Sequence, residues 1–349
     1  MQVSETAIVG RNALGRILRE TGRDRFLDEL ITRMGAAISR FDSDELVTRN
    51  RDGFQYAKPD WGLVEWMPAM DTGRRVAIKT VGYHPSNPFQ RGIPSVLATI
   101  AVYDCATGAL EGIVEGTALT AIRTGAASAL VSRVLAPDRA LTVSMVGCGA
   151  QAVTQLHALS RVRPVERVLA YDVVPEVNLS YIDRMAGLVD APIEVVDDHA
   201  RLLAEADVLC TCTSVGIDEG PVLTSGPRKE DLHINAVGAD FAGKLELPRS
   251  LLEEALVVPD VRSQCLIEGE CQQLAPDRIG PDVVELLSRP DRFAGDRDRL
   301  TVFDSTGWAL EDLIAAELVL EKAAAMGETM MIDLQSGGRD PFDPYEATA

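Results

Sequence analysis

The stretch Leu141–Asp172, which reads LTVSMVGCGAQAVTQLHALSRVRPVERVLAYD, decides the fold of this chain. An apolar run from Leu141 to Val146 leads into a glycine turn, and apolar residues then recur at helical spacing until a second apolar run ends at Tyr171. This order predicts a strand, a turn, a helix and a second strand. Such a unit is the building block of doubly wound α/β sheets.

The glycine turn has the spacing G-x-G-x-x-A, which is typical of dinucleotide-binding sites. Gly147 permits the tight turn, Gly149 lets the backbone approach a pyrophosphate, and Ala152 is small enough for the helix to pack on the strand. The first amides of the helix then face the phosphates. Asp172 lies about 20 residues further on, where a carboxylate accepts from a ribose 2′-hydroxyl and favours NAD over its 2′-phosphorylated form. The pattern predicts bound NAD, and the alternative is a glycine turn in a nucleotide-free α/β domain.

Composition limits the class of protein. The 349 residues suffice for about two domains, and 46% hydrophobic with 25% charged residues is typical of a soluble globular protein. A net charge of -19 argues against nucleic acid and anionic membranes as partners, because there is no basic excess to neutralise phosphates. No apolar run reaches the ~20 residues of a membrane helix, and the first residues do not resemble a signal peptide, so a cytoplasmic location is expected. The six cysteines are expected to be small buried residues that form neither disulfides nor a metal site.

The rest of the chain predicts two domains. Early helices are expected at about 10–21 and 23–41, followed by a mostly antiparallel sheet and a long helix of small residues from Thr117 to Leu135. Strands then alternate with helix-length segments as far as Val302, which predicts a parallel sheet. The expected fold is α/β, with a Rossmann-type doubly wound sheet at 131–317. A smaller α+β domain for substrate binding and dimerisation is expected at 1–130, completed by 318–349, with a peripheral tail after Gln335.

Polar residues follow two of the predicted parallel strands, and ligands of such sheets bind at the carboxyl ends of the strands. Thr213 and Ser214 offer hydroxyls and amides to a ribose or a nicotinamide, although the same residues would also suit a plain turn. Asp240 emerges directly from a buried strand. Partial desolvation there would raise the pKa of its carboxyl group, so we expect a general acid/base.

Cationic residues in unusual surroundings suggest a site for an amino acid. Lys79 lies within an otherwise apolar strand, and Arg123 lies on the small-residue face of a helix, where a solvated surface arginine is the alternative. Together with Arg49 or Arg51 they could bind a carboxylate. Glu65, between apolar neighbours, could hold a cationic amine or else face outward from its strand.

In these residues the chain resembles the ornithine cyclodeaminase and μ-crystallin family, and within it the lysine cyclodeaminases most, with the ornithine enzymes next. The resemblance covers most of the chain from about residue 60 to 320. The matching stretches are Glu65–Pro68, Lys79–Pro88, Thr120–Ala127, Gly147–Gln151, Asn235–Leu247, Glu268–Leu274 and Phe303–Gly307.

The resemblance implies an ammonia-lyase that holds NAD tightly and recycles it within one turnover. L-Lysine would give L-pipecolate, or L-ornithine would give L-proline, with release of ammonia. Lys79, Arg123 and Arg51, which is slightly preferred to Arg49, would bind the substrate carboxylate, Met67 would contact the substrate, and Glu65 would carry the distal ammonium. Asp240 and Lys79 would be catalytic, and Glu268 and Glu270 would lie at or behind the substrate. The implied cofactor residues are Thr124, Gly147, Gly149, Ala150, Gln151, Asp172, Thr213, Ser214, Val215, Val237, Gly238, Lys244 and Ser305.

Two other functions fit parts of the same pattern. A ketimine reductase or amino acid dehydrogenase of the same fold needs NAD and a carboxylate site but no group for a distal amine. A μ-crystallin-like protein would bind a small ligand without catalysis, although a proton-shuttling Asp240 has no purpose there. The resemblance also implies a homodimer.

Overall fold

A computed structural model gives the fold and describes residues 5–335, 340, 342, 343 and 345. The predicted tail after Gln335 lies largely outside the described residues. The strands are, in chain order, β1 Thr6–Val9, β2 Leu46–Thr48, β3 Asp52–Tyr56, β4 Gly62–Asp71, β5 Arg75–Tyr83, β6 Val96–Asp104, β7 Leu110–Glu115, β8 Leu141–Val146, β9 Val165–Tyr171, β10 Ile193–Val195, β11 Val208–Thr211, β12 His233–Ala236, β13 Leu256–Pro259, β14 Thr301–Asp304 and β15 Met330–Ile332.

The helices include those predicted at about 10–21 and 23–41, from Thr117 to Leu135 and after the glycine turn. They are α1 Arg11–Thr21, α2 Arg23–Ile38, α3 Asn87–Gln90, α4 Thr117–Leu135, α5 Ala150–Val162, α6 Pro175–Met185, α7 His199–Glu205, α8 Arg249–Glu254, α9 Arg262–Cys265, α10 Val283–Ser288 and α11 Ala309–Met326. Short 3-10 turns lie at Glu270–Gln273, Pro276–Arg278 and Pro290–Asp298.

The chain divides into two compact units. The first consists of residues 1–26, 42–120 and 309–349, and the second of residues 27–41 and 121–308. The division falls inside α2 and α4, and it groups residues 27–41 with the second unit, whereas the sequence kept them with the first domain. The domain limits drawn from the sequence remain a prediction.

The first unit contains a mostly antiparallel sheet, as predicted. Its strand order is β15-β1-β7-β6-β5-β4-β2, with β3 also paired to β4, and β1 and β7 are parallel. Helix α11 packs against β4, β5 and β6, where alternate residues of each strand are buried. Gly112 lies inside β7, where a Cβ would come within 2.8 Å of the Leu320 side chain of α11. The glycine therefore lets the helix approach the sheet.

The second unit confirms the predicted Rossmann-type sheet. All strand pairs are parallel, and the order is β10-β9-β8-β11-β12-β14-β13. In β8, β9 and β11, residues of the same strand enter two different buried clusters, because neighbouring side chains point to opposite faces. Val143 and Met145 belong to one cluster and Val146 to the other. The strand order reverses direction between β8 and β11, which is where ligands bind in such folds.

Two expectations from composition can be compared with the structure. Within the described residues, no helix has both the length and the apolar character needed to span a bilayer. All six cysteines are free thiols, but Cys105 and Cys212 are only half-buried, in contrast to the prediction that all six are buried.

Candidate functional site

The glycine turn after β8 has the geometry that a pyrophosphate needs. Gly147 adopts φ 85°, and a Cβ there would lie 2.8 Å from the carbonyl oxygen of Cys212, so a larger residue would clash. Gly149 caps the N-terminus of α5, and no protein atom lies within 4 Å of where its Cβ would be. Packing within the protein therefore does not require a glycine at 149, whereas close approach of a ligand does. Ala150 and Gln151 open α5.

Asp172 lies at the end of β9 and contacts the glycine turn. One of its carboxylate oxygens accepts from the amide of Cys148 at 2.8 Å and the other from the amide of Val174 at 2.9 Å. Each oxygen keeps a further lone pair, which suits a ribose hydroxyl. Arg184 of α6, which the sequence did not single out, donates to the carbonyl oxygens of Cys148 at 2.6 Å and of Gly149 at 3.2 Å. It thereby fixes the carbonyl side of the turn.

The loops after β11 and β12 lie beside the turn and are bound to Glu246. Thr213 donates both its amide and its hydroxyl to Glu246, at 2.7 and 2.8 Å, and Gly238 donates its amide at 2.8 Å. The donors of Thr213 are thus already engaged, so towards a ligand its hydroxyl can act only as an acceptor. Ser214 is exposed, Val215 is half-buried and Val237 is buried.

Asp240 follows the β12 loop and is paired with Lys244. The Lys244 ammonium lies 2.7 Å from a carboxylate oxygen of Asp240, and the side-chain exposures are 3% for the lysine and 40% for the aspartate. Asp240 is thus only partly desolvated, in agreement with the expectation, and one side of its carboxylate stays accessible; its role in proton transfer stays a prediction. A carboxylate that is both accessible and next to a cation can exchange protons with a ligand on its exposed side.

Three buried carboxylates support this edge of the sheet from behind. Glu270 accepts from the amide of Glu246 at 2.7 Å, and Asp304 accepts from the amides of Glu270 and Cys271 at 2.8 Å each. Asp260 accepts from the hydroxyl of Ser305 at 3.2 Å. Burial raises the pKa of Asp304 to about 7. Glu270 is fully buried and binds backbone amides, which favours a position behind the site over one at the substrate.

Helix α4 carries two of the candidate residues, Arg123 and Thr124, which are only 3% and 5% exposed. The alternative that Arg123 is a solvated surface residue is therefore wrong. Its guanidinium lies against Gly307, where a Cβ would come within 2.9 Å of a guanidinium nitrogen. Farther along α4, Ser132 contacts the buried His233 at 3.1 Å. Burial lowers the pKa of His233 to about 3, so this residue is a neutral anchor for the helix.

In the first unit, the substrate candidates share the face of the sheet that α11 covers. Met67 of β4 and Lys79 of β5 are directly opposite one another, and Glu65 lies two residues before Met67 on the same face. All three are buried, which excludes the alternative that Glu65 faces outward.

Arg51 is the better candidate of the two early arginines. Its guanidinium lies 3.4 Å from the Glu65 carboxylate, and both side chains are 11% exposed. Arg49, by contrast, is exposed. A cation and an anion thus lie together at this position, which suits a ligand that carries both charges.

Lys79 has a partner that the sequence did not suggest. Its ammonium lies 2.7 Å from a carboxylate oxygen of Asp312 in the first turn of α11, and both side chains are 1% exposed. A charge buried this deeply requires such a partner. The signal in the sequence was the acidic pair Glu311-Asp312, which directly precedes the apolar run Leu313–Ala316 of α11.

Comparisons with known proteins were made for the whole chain. The model of the ornithine cyclodeaminase/mu-crystallin family matches residues 14–327. The L-lysine cyclodeaminase of Streptomyces rapamycinicus is 39% identical over 344 residues, which cover 98% of this chain and 99% of that protein.

Two solved structures are similar over nearly their full length. One is a lysine cyclodeaminase, studied for its recognition of L-lysine, L-ornithine and L-2,4-diamino butyric acid, with a TM-score of 0.95, 44% identity and coverage of 98% of this chain and 99% of that chain. The other is the Delta(1)-pyrroline-2-carboxylate reductase of Thermococcus litoralis in complex with NADH and L-proline. Its TM-score is 0.85 at 27% identity, with coverage of 94% of this chain and 100% of that chain.

Proposed function

The chain belongs to the ornithine cyclodeaminase/mu-crystallin family, and from this premise we propose that it is an NAD-dependent cyclodeaminase of basic L-amino acids. The similarity to an L-lysine cyclodeaminase over almost the whole of both chains carries the proposal. L-Lysine, giving L-pipecolate, is the first substrate to test and L-ornithine, giving L-proline, the second. The enzyme is then an ammonia-lyase.

The reaction involves no net oxidation. The glycine turn and Asp172 would hold NAD, which would supply hydride transfer at Cα in both directions, for oxidation of the amino acid to an imine and for reduction of the cyclic imine. Between these steps the distal amine attacks Cα and the α-nitrogen leaves as ammonia. Ring closure brings the distal amine to Cα, so the substrate must be curled, with both nitrogens near its carboxylate.

The residues of the first unit suit such a curled, doubly charged ligand. Arg51 and Lys79 would bind the carboxylate, and Glu65, which lies beside Arg51, would hold an ammonium group. Met67 provides an apolar contact next to Lys79.

The residues of the second unit suit the cofactor and the proton transfers. Gly147, Gly149 and Asp172 fit a dinucleotide, as the open surface at Gly149 and the position of Asp172 indicate. Arg123 would bind the carboxylate, and Asp240 would exchange protons with the amines. The remaining cofactor residues would be Thr124, Ala150, Gln151, Thr213, Ser214, Val215, Val237, Gly238, Lys244 and Ser305.

The decisive experiment uses the purified protein with NAD and no added reductant. We expect L-lysine or L-ornithine to give ammonia and a saturated cyclic imino acid without net formation of NADH, with L-arginine as a comparison substrate. An NADH absorbance that rises in proportion to substrate consumed would refute the cyclodeaminase assignment.

A second candidate is a cyclic ketimine reductase, which the similarity to the Thermococcus litoralis enzyme favours. A reductase consumes NADH with a cyclic imine and releases no ammonia from a diamino acid. The same assay, run with NADH and an imine in place of the diamino acid, separates the two functions.

The proposal includes a homodimer in the cytoplasm. Large apolar side chains of the first unit are exposed, among them Phe54 at 70% and Phe89 at 68%, and a partner subunit would cover such residues. The six free thiols suit a reducing compartment. Size-exclusion chromatography with light scattering would measure the mass of the protein in solution. A monomer at micromolar concentration would contradict the dimer.

A further inference from the structure

We propose that Glu246 is a positioning residue that holds together the two loops at the cofactor edge of the parallel sheet, those following β11 and β12. The inference rests on the proposed function in one respect, since it takes NAD as the ligand of this edge. Its consequence is that loss of the Glu246 carboxylate weakens NAD binding although the side chain does not touch the cofactor.

The carboxylate divides its contacts between the two loops. One oxygen accepts from the amide and the hydroxyl of Thr213, at 2.7 and 2.8 Å. The other accepts from the amide of Gly238 at 2.8 Å and from the hydroxyl of Thr211, at the end of β11, at 2.6 Å. Four neutral donors thus converge on one fully buried side chain. Three of them belong to β11 and its loop and one belongs to the β12 loop.

The neighbouring glycines show that this contact sets the local backbone. A Cβ on Gly238 would lie 2.4 Å from one Glu246 oxygen and 2.5 Å from the carbonyl oxygen of Thr213. A Cβ on Gly147 would lie 2.8 Å from the carbonyl oxygen of Cys212. These segments therefore pack directly against one another: the glycine turn against the β11 loop, the β11 loop against the β12 loop, and both loops against Glu246. A shift of one loop displaces the next.

Glu246 is itself held in place from behind. Its amide donates to Glu270 at 2.7 Å, and its carbonyl oxygen accepts from the amides of Val222 at 3.0 Å and Leu223 at 3.2 Å. A side chain anchored in this way can fix the loops that it binds, because its own backbone has no freedom to follow them.

Glutamine cannot reproduce these contacts. A carboxylate offers acceptors on both oxygens, whereas an amide must turn its NH2 group towards one pair of donors. In Glu246→Gln the NH2 group therefore faces either the amide and hydroxyl of Thr213 or the amide of Gly238 and the hydroxyl of Thr211. A hydroxyl can turn and accept, but the backbone amide cannot, so one of the two loops loses its backbone attachment. We expect a loss of NAD affinity of about tenfold or more, because that loop is no longer held in the binding position.

The experiment compares NAD dissociation constants of the wild type, Glu246→Gln and Thr211→Val by calorimetry. Thr211→Val keeps the shape of a fully buried side chain that cannot reach the cofactor, and it removes one of the four contacts, so a rise in Kd of about threefold is expected. Ser144→Ala is the matched control. It deletes a buried 2.7 Å hydrogen bond to the carbonyl oxygen of Leu202 in the same sheet without touching either loop, and its Kd should stay within about twofold.

Turnover distinguishes positioning from general damage to the fold. At saturating NAD, Glu246→Gln should recover most of kcat and keep the KM for the amino acid, because only cofactor affinity is changed. Unchanged NAD affinity in both Glu246→Gln and Thr211→Val would overturn the inference. A wild type that binds no NAD would instead refute the proposed function.

Discussion

At the scale of single residues, the structure explains why several charged side chains lie in apolar surroundings. Lys79 in its apolar strand was recognisable from the sequence, but Asp312 could not be assigned as its partner, because the two meet only when α11 packs on the sheet. The pairing of Arg51 with Glu65 was equally hidden, although both residues had been singled out. Sequence patterns thus reveal that a buried charge needs a partner without revealing which residue it is.

The charge of Glu65 is expected to matter for the second amine of the substrate. Glu65→Gln keeps the size of the side chain but removes a charge-assisted hydrogen bond, so kcat/KM for L-lysine should fall by about 10- to 100-fold. Affinity for L-norleucine, which lacks the distal amine, should change by less than about twofold. Glu45→Gln, at an exposed position of the same unit, is the control. Equal losses for both ligands would argue against the assignment.

The buried carboxyl group of Asp304 predicts a pH dependence of stability. Burial raises its pKa from 3.8 to about 7 in the folded protein. The protonated carboxyl group therefore stabilises the folded protein fully below pH 3.8, and this stabilisation is lost as pH rises through about 7. A pKa shift of this size corresponds to roughly 4 kcal/mol in the free energy of unfolding.

Denaturant unfolding of the wild type and Asp304→Asn between pH 5 and 8 measures this effect. The variant loses a hydrogen bond at every pH, because both carboxylate oxygens accept from amides. The free energy of unfolding of the wild type should exceed that of Asp304→Asn most at low pH, and this difference should shrink as pH rises. A difference that is independent of pH would contradict the raised pKa.

At the scale of elements, the sequence predicted the regular parts well and some short strands poorly. Both strands and the helix of Leu141–Tyr171 have the expected limits, because an apolar run or helical period marks each of them. Strands β1 and β3 were not predicted. β1 has only four residues, and β3 is a largely exposed edge strand, so neither shows a clear alternation. The small-residue helix α4 was recognised, together with the close packing that its composition allows, but α5 was not identified as its neighbour.

The close packing of α4 on α5 predicts opposite effects of alanine substitution at two helical glycines. A Cβ on Gly125 of α4 would lie 2.4 Å from the backbone carbonyl oxygen of Thr154 in α5, whereas a Cβ on Gly15 of α1 would meet only the Arg19 side chain at 3.5 Å. Gly125→Ala should therefore destabilise the protein by about 1 to 3 kcal/mol. Gly15→Ala should stabilise it by about 0.5 to 1 kcal/mol through the helix propensity of alanine. Thermal unfolding measures both, and a stabilising Gly125→Ala would show that the helices can separate without cost.

At the scale of the whole molecule, the candidate cofactor residues lie in the second unit and most of the candidate substrate residues lie in the first. The cofactor motif and its strands were readable because they are local in sequence. The carboxylates behind them were not, since Glu246, Glu270 and Asp304 are joined only by the fold. The assignment of residues 27–41 to the second unit was also not evident from the sequence.

Binding of NAD should therefore slow hydrogen exchange mainly in the second unit. Ligand that binds only the folded state stabilises it by about 2.7 kcal/mol at a hundredfold excess over Kd. In hydrogen exchange, NAD should slow the amides of 147–151, 213–215 and 237–238 more than those of β5 and β6. Uniform protection of both units, or protection of the first unit alone, would contradict the placement of the cofactor residues.

The pairing of β15 with β1 has a consequence for the order in which the protein is made. The sheet of the first unit joins β1 to β15, although the rest of both units lies between them in the sequence, and α11 covers its buried face. Domains generally fold as they leave the ribosome. Residues 121–308 are synthesised before α11 and β15, so the sheet of the first unit stays unfinished until these two elements have been made. A stalled or truncated chain that ends before residue 309 would expose Lys79 and its apolar neighbours, and such a product is a natural target for chaperones and proteases.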